Sequence, residues 1–358
     1  MEKITINTST HPYNIYTGEN IRFNIKGFLP KEYSSILIIS DETVSKLYLK
    51  DVKSNFSVNE QVFYSVIPSG ESSKNINTYY QLQTEAINFG LDRQSLIIAL
   101  GGGVIGDIAG FVASTYMRGI DYIQMPTTIL AHDSSVGGKV AINHDLGKNM
   151  IGSFYPPVAV VYDIQTLKSL DEKEIRSGYA ELIKEAFIAD GDFLQVLLNT
   201  NLQAITTEQL EKHLQTGIKI KASIVENDEK ETGIRKYLNF GHTLGHALEA
   251  EKGYGTLTHG EAVAIGTLFA LRVSESFFSI NLPYDAFYHW LRNNLYPLQL
   301  DNLNTDKIIK KMKSDKKTVN KKIQMVVLRK LADPTVVEIN DHELTQLLDN
   351  FIRELVVS

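Results

Sequence analysis

Short apolar runs alternate with stretches of helical spacing along the first 163 residues of the chain. The runs are rich in β-branched residues and end at acids, prolines or glycines, which is typical of strands buried on both faces. They occupy residues 36–41, 61–67, 96–100, 122–126 and 158–162, and residues 1–7 alternate like an edge strand. Because helical stretches separate them, these runs predict a mostly parallel sheet covered on both sides.

The pattern changes after about residue 170. Apolar residues recur at helical spacing, with few strand signals, over residues 175–188, 210–225, 242–250, 261–277 and 284–294. Two late runs, 324–328 and 335–339, predict a hairpin that rejoins the sheet. The fold class expected is therefore an α/β Rossmann-like domain over residues 1–170 followed by an all-α domain over residues 171–358.

Composition narrows the classes of protein. The chain has 358 residues and no cysteine, so a transition metal would be held by histidine and carboxylate side chains. A net charge of −6 excludes binding of nucleic acid through a basic surface. Glycines and Asp107 interrupt the most apolar stretch, residues 95–117, which excludes a membrane span. Without a signal peptide or disulfides, we expect a cytoplasmic enzyme that acts on a small molecule.

A glycine-rich loop follows the run at 96–100. Gly101, Gly103 and Gly106 satisfy the dinucleotide fingerprint, in which backbone amides and a helix N-terminus bind a pyrophosphate. The acid that usually lies about 20 residues downstream is not evident. Instead an upstream run ends in Asp41, so the order of acid and glycines is reversed and Asp41 would meet the adenosine end.

Two further polar turns are candidates for ligand contacts. The turn at 69–74 can cap a helix, and this role is compatible with cofactor contacts by Glu71 and Lys74. The loop at 133–139 is not a Walker A motif, because the positions that need Gly and Ser or Thr are Asp and Val. Its glycine amides beside Lys139 can still hold a phosphate or a hydroxyl-rich ligand.

Histidines and a carboxylate form a candidate metal site. His242 and His246 are spaced to share a helix face, His259 follows, and Glu181 and Lys184 are spaced i, i+3 upstream. A helix face exposed to solvent would carry Lys and Glu, whereas the face that bears His242 and His246 carries Asn, His and Gly. A catalytic zinc takes three protein ligands and keeps one position open, and the residues alone do not separate three ligands from four candidates.

Several cations accompany this site. They are Lys139, Lys148, Lys184, Lys221, Arg235, Lys316 and Lys317. Singly these are ordinary surface charges, but Lys184 and Arg235 share helix faces with the ligand candidates. A metal, cations and NAD together indicate an anionic substrate that bears hydroxyl groups.

The chain resembles the 3-dehydroquinate synthases over essentially its whole length. The matching segments are 69–74, 101–107, 118–119, 126–128, 133–139, 147–152, 178–184, 239–246, 259–262 and 315–317. The fold implied is that of this family, which is related to other sugar phosphate cyclases and to the glycerol dehydrogenase-like and iron-containing alcohol dehydrogenases. Thr43, Ser169 and a loop at 129–132 that is one residue shorter depart from the family pattern and bear on NAD affinity.

The resemblance implies a role for each candidate residue. Zinc, or alternatively cobalt, would be held by Glu181, His242 and His259, leaving His246 for substrate or proton transfer. NAD contacts are implied at Asp41, Glu71, Lys74, Gly102, Gly103, Val104, Asp107, Thr127, Thr128, Lys139, Lys148 and Ser169. Catalytic roles are implied for Asp133, Lys139, Lys184, Arg235, Asn239 and His246, and substrate contacts for Arg118, Asn149, Lys221 and Lys316. Arg118 would reach the substrate phosphate of a neighbouring subunit, which implies a homodimer.

The implied reaction converts 3-deoxy-D-arabino-heptulosonate 7-phosphate to 3-dehydroquinate and phosphate in the shikimate pathway. It runs through transient oxidation by NAD, phosphate elimination, re-reduction and intramolecular aldol closure. Another sugar phosphate cyclase is an alternative, although Asn239 and His246 fit the dehydroquinate branch. A metal-dependent polyol dehydrogenase would have little use for Arg118, Lys221, Arg235 and Lys316 together, and a non-catalytic sensor would not need every catalytic position.

Overall fold

The structure is a computed structural model that describes residues 1–253, 255–300, 303–314 and 323–357. The chain divides into two compact units. The first consists of Met1–Leu170 and Leu210–Lys230, and the second of Asp171–Gln209 and Glu231–Ser358. In this division the segment Leu210–Lys230 lies with the first unit.

A mainly parallel sheet forms the centre of the first unit. The strands of this unit are β1 (Glu2–Ile6), β2 (Tyr13–Gly18), β3 (Ile36–Asp41), β4 (Val62–Ile67), β5 (Leu96–Gly101), β6 (Asp121–Pro126), β7 (Lys139–His144), β8 (Gly147–Phe154) and β9 (Ala159–Asp163). The large sheet has the order β1-β2-β9-β6-β5-β3-β4 and is parallel except where β1 meets β2. Strands β7 and β8 form a separate antiparallel ribbon, which the sequence pattern did not predict.

Both faces of the sheet are covered. The helices of the first half are α1 (Glu42–Val44), α2 (Lys50–Lys53), α3 (Ile76–Asn88), α4 (Gly103–Thr115) and α5 (Ala131–Ser134), with Ser45–Leu49 forming a π-helical turn between α1 and α2. Along β3, Leu37 and Ile39 join one apolar core with α3 and α4, while Ile36 and Ile38 join a second core on the opposite face. The continuous apolar runs predicted this double burial, and it is confirmed.

Helices dominate the rest of the chain. They are α6 (Glu172–Ala189), α7 (Gly191–Leu198), α8 (Thr207–Asn227), α9 (His242–Lys252), α10 (His259–Phe278), α11 (Tyr284–Asn293), α12 (Thr305–Ser314) and α13 (Asp341–Val357), with strands β10 (Ile323–Lys330) and β11 (Asp333–Ile339). The predicted combination of a Rossmann-like α/β part and a helical part is confirmed. Among the residues described, no helix is both long enough and apolar enough to cross a membrane.

The late hairpin exists, but the prediction that it rejoins the sheet is wrong. Strands β10 and β11 pair with each other in a two-stranded sheet of their own. Within the second unit, the Leu328 amide donates to Ser274 Oγ of α10 at 2.9 Å, and the Ala332 amide donates to the Phe187 carbonyl of α6 at 3.0 Å. The hairpin buries its apolar face on helices, so it needs no further strand partner.

Helices α6, α9 and α10 approach one another at the level of the backbone. A Cβ atom added at Gly266 of α10 would lie 1.9 Å from the Gly241 carbonyl oxygen, immediately before α9. One added at Gly260 would lie 1.9 Å from the Ser177 carbonyl oxygen of α6. Gly241 also has a φ of +80°, a conformation that disfavours a side chain. The glycines therefore allow three helices to meet closely at one end.

Gly266→Ala tests this packing. Because the added methyl group would force the backbones of α9 and α10 apart, we expect the free energy of unfolding to fall by about 1–3 kcal/mol, the usual cost of overpacking. Chemical denaturation measures the change. Ser276→Ala, at an exposed position of the same helix, is the matched control and should stay within about 0.5 kcal/mol of the parent. Equal stability of all three proteins would contradict the packing described.

Candidate metal and nucleotide sites

Three histidines of the second unit converge at the helix ends. His242 begins α9, His246 lies one turn later on the same face, and His259 begins α10. Each offers a ring nitrogen, and these nitrogens all lie within 4.8 Å of one another. The spacing of His242 and His246 predicted that they share a helix face. His259 joins them because α9 and α10 pack closely together.

A buried carboxylate faces the same point. Glu181 Oε1 of α6 lies 3.6 Å from His242 Nε2 and 3.4 Å from His259 Nε2. Its other oxygen, Oε2, accepts a hydrogen bond of 2.5 Å from Lys184 Nζ, and both residues are only 1% exposed. Burial of an anion in this way requires compensating positive charge, which a cation between the carboxylate and the two imidazoles would add to that of Lys184.

The second nitrogen of two of these rings is already engaged. His242 Nδ1 lies 3.2 Å from the Phe240 carbonyl oxygen, and His259 Nδ1 lies 3.0 Å from Glu249 Oε2. Both partners are acceptors, so Nδ1 carries the hydrogen and each Nε2 is turned towards Glu181. Histidines that bind metals are oriented in this way, with the far ring nitrogen donating to a carbonyl or carboxylate. The donor set therefore fits a divalent metal held by oxygen and nitrogen.

The electrostatics of His259 agree with a cation site. Burial alone would lower the pKa of this imidazole, but hydrogen bonds to Glu181 and Glu249, and their negative charge, raise the pKa to about 10. Protein groups alone thus hold an extra proton at this point. A divalent cation bound to Nε2 would replace that proton, since a metal-bound nitrogen must be deprotonated.

Glu261, near the start of α10, does not belong to the ligand set. Its Oε1 accepts from Arg176 Nε at 3.0 Å and Nη2 at 2.9 Å, and its Oε2 accepts from the Thr258 amide at 3.0 Å. The Thr258 hydroxyl accepts in return from the Glu261 amide, which completes a capping box. This network fixes the helix end that carries His259 against α6, which carries Glu181.

The remaining candidates of the second unit lie on a 3₁₀ turn, Ile234–Asn239, just before α9. Arg235 is 2% exposed, and Asn239 Nδ2 donates to Glu231 Oε1 at 3.1 Å. Lys316 and Lys317 lie outside the described residues.

The glycine loop of the first unit leads directly from β5 into α4. Gly102 is the N-cap of α4, and no side chain caps this helix end. A Cβ atom at Gly102 would lie 3.0 Å from the Thr128 side chain, and one at Gly103 would lie 3.2 Å from Ser134 Oγ. Val104 follows in the first turn. The backbone amides of this turn suit a pyrophosphate, as the sequence predicts.

Asp41 lies at the carboxyl end of β3, the strand next to β5 in the sheet. Its Oδ1 accepts from the Thr43 amide at 2.8 Å, the Val44 amide at 3.0 Å and Ser69 Oγ at 2.9 Å. Thr43, one of the departures from the family pattern, also shares a hydroxyl contact of 2.9 Å with Ser69. The reversed order in the sequence is thus compatible with the sheet order, which sets Asp41 beside the glycine loop's strand.

A buried cation links the polar turn after β4 to α4. Lys74, 4% exposed, donates to Asp107 Oδ2 at 2.5 Å, and Glu71 Oε1 accepts from Asn143 Nδ2 at 2.7 Å. Burial raises the pKa of Asp107, and the positive charge of Lys74 opposes this rise. Three residues predicted to contact NAD, Glu71, Lys74 and Asp107, are therefore neighbours.

A second polar group lies around α5 and the β7–β8 ribbon. Lys221 of α8 is 5% exposed and lies 2.9 Å from Asp133 Oδ2. Lys139 begins β7, and Lys148 and Asn149 lie on β8, where the Asn149 amide donates to Asn143 Oδ1 at 2.9 Å. Contact between Lys221 and Asp133 explains in part why this section of α8 lies with the first unit.

Three other candidates are spread over the first unit. The Thr127 amide donates to the Gly101 carbonyl at 3.1 Å, which brings it to the glycine loop. Ser169 is exposed, and its hydroxyl donates to the Thr166 carbonyl at 2.9 Å. Arg118 is exposed on a turn in which Met117, Arg118 and Gly119 all have positive φ.

Two site residues escaped the sequence interpretation. Glu249 binds His259, and its signal was its position on α9, seven residues after His242 and therefore on the same face. Asn143 contacts both Glu71 and Asn149, and its only signal was proximity in sequence to Lys139. Neither contact follows from helical or strand periodicity alone.

The Arg176–Glu261 pair provides a test of the network behind His259. Glu261→Gln keeps the shape of the capping side chain but leaves a buried guanidinium without its carboxylate, so the free energy of unfolding should fall by about 3–5 kcal/mol. Arg176→Met should be similarly costly. Because the double variant removes both charges, its loss should be clearly smaller than the sum of the two single losses. Additive losses in chemical denaturation would rule out the coupling.

Comparisons with known proteins agree along the whole chain. The sequence model described as 3-dehydroquinate synthase N-terminal matches residues 64–177, and the one described as 3-dehydroquinate synthase C-terminal matches residues 178–318. The 3-dehydroquinate synthase of Oceanobacillus iheyensis is 54% identical over 356 residues, covering 99% of each chain.

Solved structures share the fold. A 2-deoxy-scyllo-inosose synthase complexed with carbaglucose-6-phosphate, NAD+ and Co2+ superposes with a TM-score of 0.87 at 26% identity, covering 99% of this chain and 100% of the other. A 2-epi-5-epi-valiolone synthase from Streptomyces hygroscopicus with NAD+ and Zn2+ has a TM-score of 0.86 at 23% identity, covering 96% and 97%.

Proposed function

The chain belongs to the 3-dehydroquinate synthase family, and we propose that it converts 3-deoxy-D-arabino-heptulosonate 7-phosphate to 3-dehydroquinate and phosphate. The family implies an NAD-dependent enzyme with a divalent metal, and two structures of the same fold contain NAD+ with Co2+ or Zn2+. The observation that supports this most directly is the meeting of Glu181, His242 and His259 in a chain without cysteine.

We assign the metal, as zinc, to Glu181, His242 and His259. One carboxylate and two imidazoles are three protein ligands, which leaves a coordination position for substrate oxygen. When bound, the metal would acidify a substrate hydroxyl, and NAD would reversibly exchange a hydride with the carbon that bears this hydroxyl. Lys184 holds Glu181 Oε2 and thereby fixes the direction of Oε1.

We assign proton transfer to the fourth candidate, His246. Its ring nitrogen lies within 4.8 Å of those of His242 and His259, but with Glu181 as the third ligand the proposed set is complete without it. Imidazole is suited to accept and return a proton near neutral pH, as the successive steps of this reaction demand. Arg235 and Asn239 precede the same helix and supply a positive charge and an amide for the carboxylate and hydroxyl groups of the substrate.

The NAD assignment uses the loops at the carboxyl ends of β3, β4 and β5. The α4 N-terminus at Gly102, Gly103 and Val104 receives the pyrophosphate, and Asp41 accepts from the adenosine ribose. Further contacts are proposed for Glu71, Lys74, Asp107, Thr127, Thr128, Lys139, Lys148 and Ser169. Lys74 and Asp107 are already paired with each other, so each side chain restricts the movement of the other.

The other cations hold the anionic ends of the substrate. Asp133 and Lys221 form a pair that can orient a hydroxyl group of the substrate. We assign contacts with other substrate oxygens to Lys139, Asn149 and Lys316. Holding one flexible substrate through several steps is a matter of orientation, which is worth roughly 7–11 kcal/mol in favourable cases. We further propose a cytoplasmic homodimer, in which the exposed Arg118 reaches the phosphate bound by the neighbouring subunit.

The reaction itself is the first test. Pure protein incubated with NAD+, Zn2+ and the heptulosonate phosphate should release one phosphate per substrate without net formation of NADH, because each hydride is returned. Phosphate release and absorbance of NADH measure this directly. Steady accumulation of NADH would indicate a polyol dehydrogenase, and release only from other sugar phosphates would indicate another cyclase.

His259→Ala tests the ligand assignment. Loss of one of three ligands should abolish stoichiometric zinc, measured by elemental analysis after dialysis, together with phosphate release. His289→Ala, at an exposed histidine of α11, is the control and should retain both. Full zinc in the His259 variant would transfer the ligand role to His246.

Asp41→Asn tests the adenosine contact. Asn remains a good helix cap, so α1 is preserved, but the charged acceptor is lost and NAD+ should bind roughly tenfold to a hundredfold more weakly. Titration of NAD+ by calorimetry measures this. Glu42→Ala, the exposed neighbouring acid, should not change the affinity, and an equal loss in both variants would point to general charge rather than to Asp41.

A further inference from the structure

Glu249 is a buried carboxylate that none of the roles above includes. It lies near the end of α9, three residues after His246 and seven after His242, and is 5% exposed. Its Oε2 lies 3.0 Å from His259 Nδ1. A helix that carries two of the histidines therefore also carries an acid that binds the third.

This contact fixes the chemical form of the His259 ring. A carboxylate can only accept, so Nδ1 must donate its hydrogen to Glu249. The opposite nitrogen, Nε2, lies 3.4 Å from Glu181 Oε1. One imidazole is thus held between two carboxylates that come from different helices, α9 and α6, while the ring itself begins α10.

The ring would be poorly fixed without Glu249. The side-chain torsion that turns an imidazole has a broad, shallow preference, so an outside contact must set it. His242 receives that contact from a backbone carbonyl, Phe240 O at 3.2 Å. For His259 the contact, at 3.0 Å, is with the Glu249 side chain, and the 31% exposure of its own side chain gives His259 less packing support than His242, which is 12% exposed.

We propose that Glu249 is a positioning residue that orients His259 and strengthens its Nε2 as a ligand for the divalent metal. This inference rests on the metal site proposed above. In this proposal Glu249 acts through His259 and is not itself a ligand, so its effect is on metal affinity and on the symmetry of the ligand field. Outer partners of metal-bound histidines change affinity by about 10- to 100-fold when they are removed.

The experiment measures binding of Zn2+ and Co2+ alone, without NAD or substrate, by competition with a chromophoric chelator. Glu249→Ala should bind each ion about 10- to 100-fold more weakly than the parent. Glu249→Gln should lie between the two, because its amide oxygen can still accept from Nδ1. The visible absorption bands of the Co2+ protein should shift in the Ala variant and return towards the parent in the Gln variant.

Two controls define the result. Glu251→Ala removes another carboxylate of α9, one that pairs with Lys311 at 3.3 Å. This change should leave the metal affinity and the Co2+ spectrum unchanged. His259→Ala should lose nearly all affinity. Thermal unfolding of the metal-free proteins confirms that each variant is folded, and Glu249→Gln, the isosteric change, carries the test if the Ala variant does not fold.

The outcomes separate the two proposals. Weak binding by the His259 variant with parental affinity and spectrum in both Glu249 variants would overturn the positioning role while the metal site stands. Parental affinity in the His259 variant would overturn the metal site and with it the role of Glu249. An equal loss in Glu251→Ala would show a general charge effect and would also overturn the positioning role.

Discussion

The second unit depends on one electrostatic constraint, the burial of the Glu181 carboxylate. A carboxylate that is 1% exposed is stable only where positive charge and hydrogen-bond donors surround it. Lys184 binds one oxygen, and two imidazole nitrogens face the other at 3.4 and 3.6 Å. The close packing of α6, α9 and α10 is what brings these groups together. A metal would complete the compensation, so the same arrangement serves the fold and the chemistry.

Glycine makes that arrangement possible. The Cβ positions of Gly260 and Gly266 would each lie 1.9 Å from a carbonyl oxygen of a neighbouring segment, so no side chain can be accommodated without movement. The candidate metal site therefore depends on more than the side chains that face it. It also requires glycines where the helices pack closely, and the Arg176–Glu261 pair that holds the end of α10.

The sequence predicted those features that depend on local periodicity. Continuous apolar runs indicated strands covered on both faces, and the i, i+4 histidines indicated a helix face, because both patterns repeat along a single element. The β7–β8 ribbon was not predicted, since its few apolar positions are mixed with polar residues and glycines. The late hairpin packs on helices and not on the sheet, and this choice depends on which surfaces the tertiary fold exposes. The role of Glu249 could not be predicted, because it depends on the packing of α10, which places His259 next to it. Such contacts are set by tertiary packing, which periodicity does not encode.

The first unit shows why the position of a strand in the sheet matters more than its order in the chain. In the usual dinucleotide fold the acid follows the glycines because the next strand along the chain lies beside the first. Here β3 lies beside β5 in a parallel sheet, and so the carboxyl end that bears Asp41 is adjacent to the end that bears the glycine loop. An acid 60 positions upstream of Gly101 can therefore serve as the one that normally comes downstream. Neighbouring parallel strands end at the same edge of the sheet whatever their order in the chain, and this adjacency supports the proposed contact of Asp41 with NAD.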